Sequence, residues 1–212
     1  MRPPDDRSPT SHERRTGRPW DYWYQDERPP WDTGRPQPAV VRLVEQGAFA
    51  GPVLDAGCGS GENALAIAAP GVEVVGVDVA PTAIRHAQDK AAGRGLAATF
   101  LVADALQLHR LGRTFATVLD CGLFHTFDDD ERPAYVASLA AVTTPGSVLH
   151  LLCFSDTAPG EGGPRRISRS ELHASFRAGW DVVSIEAAGL VTTFDPAGVP
   201  AWLARVERAT GS

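Results

Sequence analysis

Three aspartates, each at the end of an apolar run, could together bind one ligand. Asp55 ends the run that precedes a glycine-rich turn, Asp78 ends the next run, and Asp104 follows a third run in the stretch LVADAL. The carboxyl ends of parallel strands border one crevice, so we expect these carboxylates to converge there. Such a site favours a ligand that carries positive charge and free hydroxyl groups.

The stretch VLDAGCGSGENALAIA, residues 53–68, has the pattern of a strand, a tight turn and a helix. Gly57, Gly59 and Gly61 would let the backbone turn sharply and come close to a ligand. A dinucleotide site would have its third glycine where Glu62 stands, and the carboxylate of Asp55 would repel a pyrophosphate. S-adenosylmethionine fits better, because it carries an ammonium and a sulfonium and no phosphate. In this arrangement Asp78 would accept hydrogen bonds from the ribose hydroxyls, and Asp104 would lie near the adenine amino group.

These residues must be positioned by alternating strands and helices. The apolar runs predict strands at residues 52–55, 72–78, 99–102, 115–120 and 147–154, and the amphipathic segments predict helices at residues 37–46, 62–69, 81–92, 129–142 and 168–176. Such alternation indicates an α/β fold with a parallel sheet covered on both faces. Two further strand-like runs, WDVVSIEAAGLVTTF and VPAWLARVERA, end the chain and are joined by the turn residues Asp195, Pro196 and Gly198. This connection is too short for a crossover, so we expect these last two strands to pair antiparallel.

The segments LDAGCGSGE, GVDVA and VADAL resemble the successive cofactor motifs of class I S-adenosylmethionine-dependent methyltransferases. The resemblance extends from about Trp20 to the C-terminus. It implies a doubly wound, seven-stranded, mostly parallel Rossmann-like sheet with an antiparallel last strand. S-adenosylmethionine would be the cofactor and S-adenosylhomocysteine the product. The cofactor contacts expected besides Asp55, Gly59 and Gly61 are Gly57, Asp78, Val79, Asp104, Ala105 and Asp120.

An aromatic segment near the N-terminus, WDYWYQDERPPWDTGRPQP, looks like the entrance segment of the thiopurine methyltransferase branch, which includes halide/thiol methyltransferases. This resemblance implies that Trp20, Tyr24 and Trp31 close over the cofactor as a lid at about residues 20–37. Their alternative role is to anchor the first helix in the core. Residues 1–18 are rich in Pro, Arg, Asp and Ser, so we expect them to be a disordered tail before a single domain at residues 19–212.

A histidine follows the fourth predicted strand, where the transferred methyl group should emerge. His125 lies in the stretch DCGLFHTFDDDE and is a candidate proton acceptor. It is also flanked by Phe124 and Phe127, so a packed, structural ring is the alternative. A thiolate or halide acceptor would need no base, whereas a phenol or enol would benefit from one. Arg165 and Arg166 could face an anionic acceptor or lie in a solvated loop.

Composition limits the partners and the compartment. The formal net charge of −6 argues against a nucleic-acid partner. No apolar run approaches the roughly 20 residues of a membrane-spanning helix. Cys58, Cys121 and Cys153 lack the paired spacing of a zinc site, so no metal is expected, and they indicate free thiols in the cytoplasm.

The function these features favour is methyl transfer to a small molecule: a thiol, a halide, or the hydroxyl of a phenol or hydroxyquinolone. Two alternatives are a non-catalytic module that binds S-adenosylmethionine and a nicotinamide-dependent oxidoreductase. Glu62 and Asp55 disfavour the second alternative. The acceptor's identity and the oligomeric state stay open, and a monomer is compatible with the sequence.

Overall fold

The computed structural model describes residues 7–25, 28–160 and 162–210. The strands are β1 Val53–Ala56, β2 Val74–Asp78, β3 Ala98–Val102, β4 Phe115–Cys121, β5 Thr143–Phe154, β6 Trp180–Leu190 and β7 Val199–Arg208. The α-helices are α1 Ser11–Thr16, α2 Pro38–Glu45, α3 Glu62–Ala68, α4 Pro81–Arg94, α5 Glu131–Ala140 and α6 Arg169–Ser175, and short 3₁₀ helices occupy Trp20–Tyr24, Ala105–Leu111 and Phe124–Thr126. Within the described residues, no helix is both long and apolar enough to cross a membrane.

The seven strands form one sheet in the order β3-β2-β1-β4-β5-β7-β6. Strands β1 to β5 pair in parallel, and β7 pairs antiparallel with both β5 and β6. Asp55 lies beside Gly76 of β2 and Leu119 of β4, which brings the carboxyl ends of β1, β2 and β4 to one edge. The predicted fold class, including the antiparallel pairing near the C-terminus, is confirmed.

The central strands β1, β2 and β4 are buried on both faces, because their side chains are apolar on both sides of the sheet. Strands β3 and β6 are more exposed. One face, which includes Leu54, packs against α5 and α6 through residues such as Tyr135 and Leu172. The other face, which includes Val53, packs against α2, α3 and α4 through residues such as Ile84. The two helical layers leave the carboxyl edge of the parallel strands free for a site.

The N-terminal segment departs from the sequence prediction. Residues 11–16 form helix α1, so the expected disordered tail at residues 1–18 is wrong for this part; residues 1–6 lie outside the described residues. Thr10 and Glu13 form a capping box, in which the backbone N–H of Thr10 donates to Glu13 Oε2 at 2.9 Å. Ser11 donates to the carboxylate of Glu131 through its backbone N–H at 2.5 Å and its hydroxyl at 2.7 Å. The capping box is visible in the sequence, but its distant partner Glu131 is not.

Glu13 is the residue on which this segment depends, since it also accepts a hydrogen bond from the backbone N–H of Trp20 at 3.1 Å. We expect Glu13→Ala to speed trypsin cleavage at Arg14 and Arg15 by roughly 2- to 30-fold, because losing a helix cap costs about 0.5–2 kcal/mol. The measurement is limited proteolysis followed by mass spectrometry. Glu45→Ala, at an exposed position on α2, is the control, and equal cleavage rates in the two variants would contradict the assigned role.

Candidate active site

The glycine-rich turn between β1 and α3 needs glycine at three positions for steric reasons. Gly57, Gly59 and Gly61 have φ values of 71°, 53° and 85°, in the left-handed region. A Cβ on Gly61 would lie 2.8 Å from the Cβ of Ala87 and 2.9 Å from the ring of Phe100. The backbone of this turn therefore lines the crevice directly, as a ligand-binding turn requires.

The carboxylate of Asp78 joins the end of β2 to this turn. It accepts hydrogen bonds from the backbone N–H groups of Gly59 and Ala80, both at 2.9 Å. Burial raises the pKa of Asp78, and the two hydrogen bonds oppose that shift. Asp78 also lines the cavity, and a carboxylate has about four lone-pair sites, so it can accept further hydrogen bonds from a bound diol.

Glu62, which replaces the third glycine of a dinucleotide motif, points into the helical layer. Its carboxylate is 2.9 Å from Lys90 Nζ and 2.9 Å from Arg94 Nη1, both on α4. Burial raises the pKa of Glu62, but the hydrogen bonds from Arg94 and Lys90 outweigh it, and the net shift is downward. The ion pairs hold the turn against α4.

Asp55 lies beneath the turn and is almost fully buried. Neither of its carboxylate oxygens has a hydrogen-bond partner among the residues that the structure describes. Burial, together with the charges of Asp120 and Asp78, raises its pKa to about 8. A cation nearby would favour the ionised form of this carboxyl.

Asp104 caps the 3₁₀ helix that follows β3. Its Oδ1 accepts a hydrogen bond from the backbone N–H of Leu106 at 2.9 Å. Its neighbours Ala103 and Ala105 line the cavity, as does Val79 after Asp78. This places β3's end at the cavity, while the predicted adenine contact of Asp104 stays a prediction.

Asp120 lies at the end of β4 and is engaged in hydrogen bonds within the protein. It is fully buried, and its carboxylate accepts hydrogen bonds from the N–H groups of Leu123 (3.0 Å) and Phe124 (3.1 Å) and from the hydroxyl of Tyr135 (2.8 Å). Burial raises its pKa to about 6 against the effect of these bonds. Asp120 thus holds the loop after β4, whose residue Leu123 lines the cavity, and its predicted contact with the cofactor stays a prediction.

The aromatic segment lies across the glycine turn. Trp20, Tyr24 and Trp31 all line the cavity. The indole N–H of Trp31 donates to the hydroxyl of Tyr24 at 2.9 Å, and a Cβ on Gly59 would lie 2.9 Å from that same hydroxyl oxygen. The structure thus brings the three aromatic side chains together at the cavity, and their role as a lid over the cofactor stays a prediction. Asp26 and Glu27 of the expected lid lie outside the described residues.

Two polar residues that the sequence analysis missed anchor this segment at its ends. Asp21 accepts hydrogen bonds from the backbone N–H of Thr82 at 2.6 Å and from its hydroxyl at 3.1 Å, which caps α4. Gln37 exchanges two side-chain hydrogen bonds with the backbone of Val191, at 2.9 and 2.8 Å. Neither residue has a local signal, because their partners are far away in the chain.

His125 is a buried, neutral ring. Its Nδ1 accepts a hydrogen bond from the backbone N–H of Phe154 at 3.0 Å, so its proton lies on Nε2. Burial and the charge of Arg166 lower its pKa to about 3. The ring lines the cavity, but its basic nitrogen is already engaged. This geometry favours the packed, structural alternative, and the role of His125 as a general base stays a prediction.

The glycine turn, Asp78, the three aromatic side chains and His125 line one cavity of about 570 Å³, within the size range of small-molecule sites. Asp55, Asp104 and Asp120 lie behind this lining and do not form part of it. The first half of the cavity lies at the ends of β1, β2 and β3. Its second half, at the ends of β4, β5 and β6, is mostly apolar and includes Cys121, Phe154, Leu190, Phe194 and Val199. The arrangement can hold a polar, nucleoside-like ligand beside an apolar one.

Comparisons with known proteins agree with this geometry. A family model described as a methyltransferase domain matches residues 53–146. The 2-heptyl-1-hydroxyquinolin-4(1H)-one methyltransferase of Mycobacteroides abscessus is 40% identical over 171 residues, which cover 79% of this chain and 75% of the relative. A probable thiol methyltransferase of Arabidopsis thaliana is 28% identical over 169 residues, covering 78% and 75%.

Solved structures share the fold. One, from work on the conversion of a disulfide bond into a thioacetal group during echinomycin biosynthesis, is 41% identical with a TM-score of 0.78 and 88% of each chain covered. Another is magnesium protoporphyrin IX methyltransferase of Synechocystis with bound S-adenosylmethionine, 24% identical with a TM-score of 0.62, covering 80% and 76%. The chain therefore belongs to the class I S-adenosylmethionine-dependent methyltransferases and is a small-molecule methyltransferase.

Proposed function

We propose that S-adenosylmethionine occupies the first half of the cavity. Asp78 would accept hydrogen bonds from its ribose hydroxyls, the backbone of Gly57 and Gly59 would follow its methionine portion, and Asp55 would supply negative charge towards its ammonium. The support for Asp55 is its pair of buried carboxylate oxygens. Asp104 and Ala105 would border the adenine. The bound cofactor supplies a methyl group that is activated by the sulfonium.

The aromatic segment at about residues 20–37 is proposed to be the lid of this half. Trp20, Tyr24 and Trp31 would exclude water and place aromatic faces near the sulfonium, an interaction worth roughly 0.5–2 kcal/mol. The anchors at Asp21 and Gln37 support this role, because they hold both ends of the segment against the site.

The acceptor is proposed to be a small, flat, apolar molecule that carries an acidic hydroxyl of the N-hydroxyquinolone type. The observation that carries this proposal is the apolar half of the cavity, which adjoins the proposed cofactor half. The 40% identical relative is named for methylating such a molecule. A thiol acceptor is the second candidate, because a 28% identical relative is named a thiol methyltransferase. The net charge of −6 and the three free cysteines support a cytoplasmic small-molecule enzyme rather than one that acts on nucleic acid.

A panel of acceptors with the protein and S-adenosylmethionine tests this proposal. The panel contains 2-heptyl-1-hydroxyquinolin-4(1H)-one, a simple phenol, an aryl thiol and iodide, and mass spectrometry measures the methylated products. We expect the highest kcat/KM for the hydroxyquinolone. Transfer to the thiol alone would favour the second candidate, a thiol acceptor. No transfer to the hydroxyquinolone or to the thiol would contradict the proposed acceptor class.

Asp78→Ala should weaken binding of S-adenosylhomocysteine about 10- to 100-fold. The physical reason is the loss of charge-assisted hydrogen bonds to two hydroxyls, worth roughly 1.5–3 kcal/mol. Isothermal titration calorimetry measures the change. Asp89→Ala, at an exposed position on α4, serves as the control. Unchanged affinity in a folded Asp78→Ala protein would place the ribose elsewhere.

Asp55→Asn should stabilise the cofactor-free protein at alkaline pH and weaken cofactor binding. The carboxyl of Asp55 keeps its proton in the folded state up to about pH 8 but loses it near pH 4 in the unfolded chain. Unfolding therefore releases a proton between about pH 4 and 8, so this residue lowers stability progressively as the pH rises through that window. Asparagine removes this effect.

The measurement is the unfolding temperature of both proteins at pH 4.5 and pH 8, without and with S-adenosylmethionine. We expect the variant's gain in unfolding temperature to be larger at pH 8 than at pH 4.5, and the cofactor's stabilising effect to be smaller in the variant. A gain that is the same at both pH values would contradict the proposed protonation state.

His125→Asn separates a structural role from a basic one. The asparagine oxygen can still accept the hydrogen bond from Phe154, but the side chain cannot take up a proton. We expect kcat with the best acceptor to fall less than about threefold, whereas removal of a general base costs about 10²–10⁴. A loss of 100-fold or more, with cofactor affinity unchanged, would restore His125 as the base.

A further inference from the structure

A cationic side chain lies in the wall of the apolar half of the cavity. Arg166 follows β5 and lines the cavity together with Phe154. The guanidinium carbon is 5.6 Å from the centre of the Phe154 ring. Its Nη1 donates to the carbonyl oxygens of Gly162 at 2.6 Å and Pro164 at 2.7 Å, and its Nη2 donates to that of Pro159 at 2.8 Å. The loop thus fixes the guanidinium in place.

These carbonyl oxygens orient the guanidinium without neutralising its charge. Over residues 7–25, 28–160 and 162–210, Arg166 has no ion pair, and its buried Nε has no hydrogen-bond partner. The adjacent Arg165 differs, because it lies 3.0 Å from Asp129 and 3.3 Å from Glu171. One of two consecutive arginines is thus committed to carboxylates, and the other faces the cavity.

The charge of Arg166 already acts on a neighbouring cavity group. After burial, it is the largest cause of the lowered pKa of His125, which it helps to keep neutral. The same field would favour the ionised form of an acidic acceptor in this half of the cavity. The other charged or titratable side chains that line the cavity are His12, Asp32, Arg35, Glu62, Asp78, Cys58, Tyr24, Cys121 and Asp195.

From this arrangement we infer that Arg166 binds the acceptor as an anion and thereby makes a protein base unnecessary. The inference rests on the proposed function and narrows its acceptor class to molecules with an acidic hydroxyl or thiol. The acceptor's proton leaves to solvent as the acceptor binds. The resulting oxyanion or thiolate donates an electron pair to the methyl carbon and forms an O–C or S–C bond.

The methyl–sulfur bond of the sulfonium breaks in the same step, and its electron pair stays on the sulfur as a neutral thioether. An anion and a cation thus become two neutral products, with no further reactant. Arg166 contributes charge and orientation, because its guanidinium is fixed before the acceptor arrives and needs no rearrangement.

The test compares the pH dependence of kcat in the wild type, Arg166→Gln and Arg166→Lys with the best acceptor of the panel. The kcat profile reports ionisation in the enzyme–substrate complex. In this profile, kcat rises with pH along the limb where the bound acceptor loses its proton. For Arg166→Gln we expect this limb to move to higher pH by about one to two units, since a neighbouring opposite charge typically shifts a pKa by that much. Arg166→Lys should restore part of the shift, because it keeps the charge but not the guanidinium geometry.

Arg165→Gln is the matched control and should leave the limb within about 0.3 pH units of the wild type, as expected for a residue committed to surface carboxylates. Affinity for S-adenosylhomocysteine should stay within about threefold in all variants, since Arg166 lies in the other half of the cavity. A structural defect would instead lower kcat equally at every pH. An unmoved limb in a folded, active Arg166→Gln protein would overturn the inference.

A binding measurement separates this inference from the proposed function. The absorption spectrum of 2-heptyl-1-hydroxyquinolin-4(1H)-one in the S-adenosylhomocysteine complex reports which ionisation state is bound, without turnover. We expect the ionised form to predominate about one to two pH units lower in the wild type than in Arg166→Gln. Absence of methyl transfer by the wild type contradicts the proposed acceptor class, whereas equal ionisation of the bound molecule in both proteins overturns the role of Arg166.

Discussion

The carboxylate of Asp78 accepts one hydrogen bond from the glycine turn at Gly59 and another from the start of α4 at Ala80. These two bonds join the glycine turn, β2 and α4 at the carboxyl edge of the sheet. The turn can reach Asp78 only because Gly59 adopts a left-handed backbone. Tyr24 packs on the same turn and on Ala83. The aromatic segment that lines the cavity therefore also depends on the position of this turn.

Four aspartates lie at or just after the carboxyl ends of four parallel strands, and each has different surroundings. Asp78 lines the cavity, Asp104 caps a 3₁₀ helix, and Asp120 holds the loop after β4 through its hydrogen bonds. Asp55 is buried with two oxygens that lack partners among the described residues, and its pKa is raised to about 8. Once ionised, a buried carboxylate interacts much more strongly with a nearby cation than a solvated one does, which is why Asp55 is proposed to face the ammonium end of the cofactor.

Methyl transfer from a sulfonium is a displacement at a carbon that is already activated, so alignment and exclusion of water can supply much of the catalysis. The site agrees with this view. His125 is neutral and its basic nitrogen is engaged with Phe154, whereas Arg166 presents positive charge to the acceptor half. Both features favour an acceptor that arrives already ionised or becomes so on binding.

The sequence alone was sufficient to predict the sheet and the glycine turn with Asp78 at its carboxyl edge. Buried strands have to be apolar on both faces, and a turn that approaches a ligand needs glycine, so Gly57, Gly59, Gly61 and Asp78 are recognisable from local patterns. Only the tertiary structure decided the roles of Asp120, His125 and Arg166. Their roles depend on burial and on hydrogen bonds to distant backbone groups, which set both the direction of a side chain and its pKa. The anchors of the aromatic segment escaped prediction for the same reason, since Gln37 binds the backbone of Val191 and no local pattern encodes a contact across the chain.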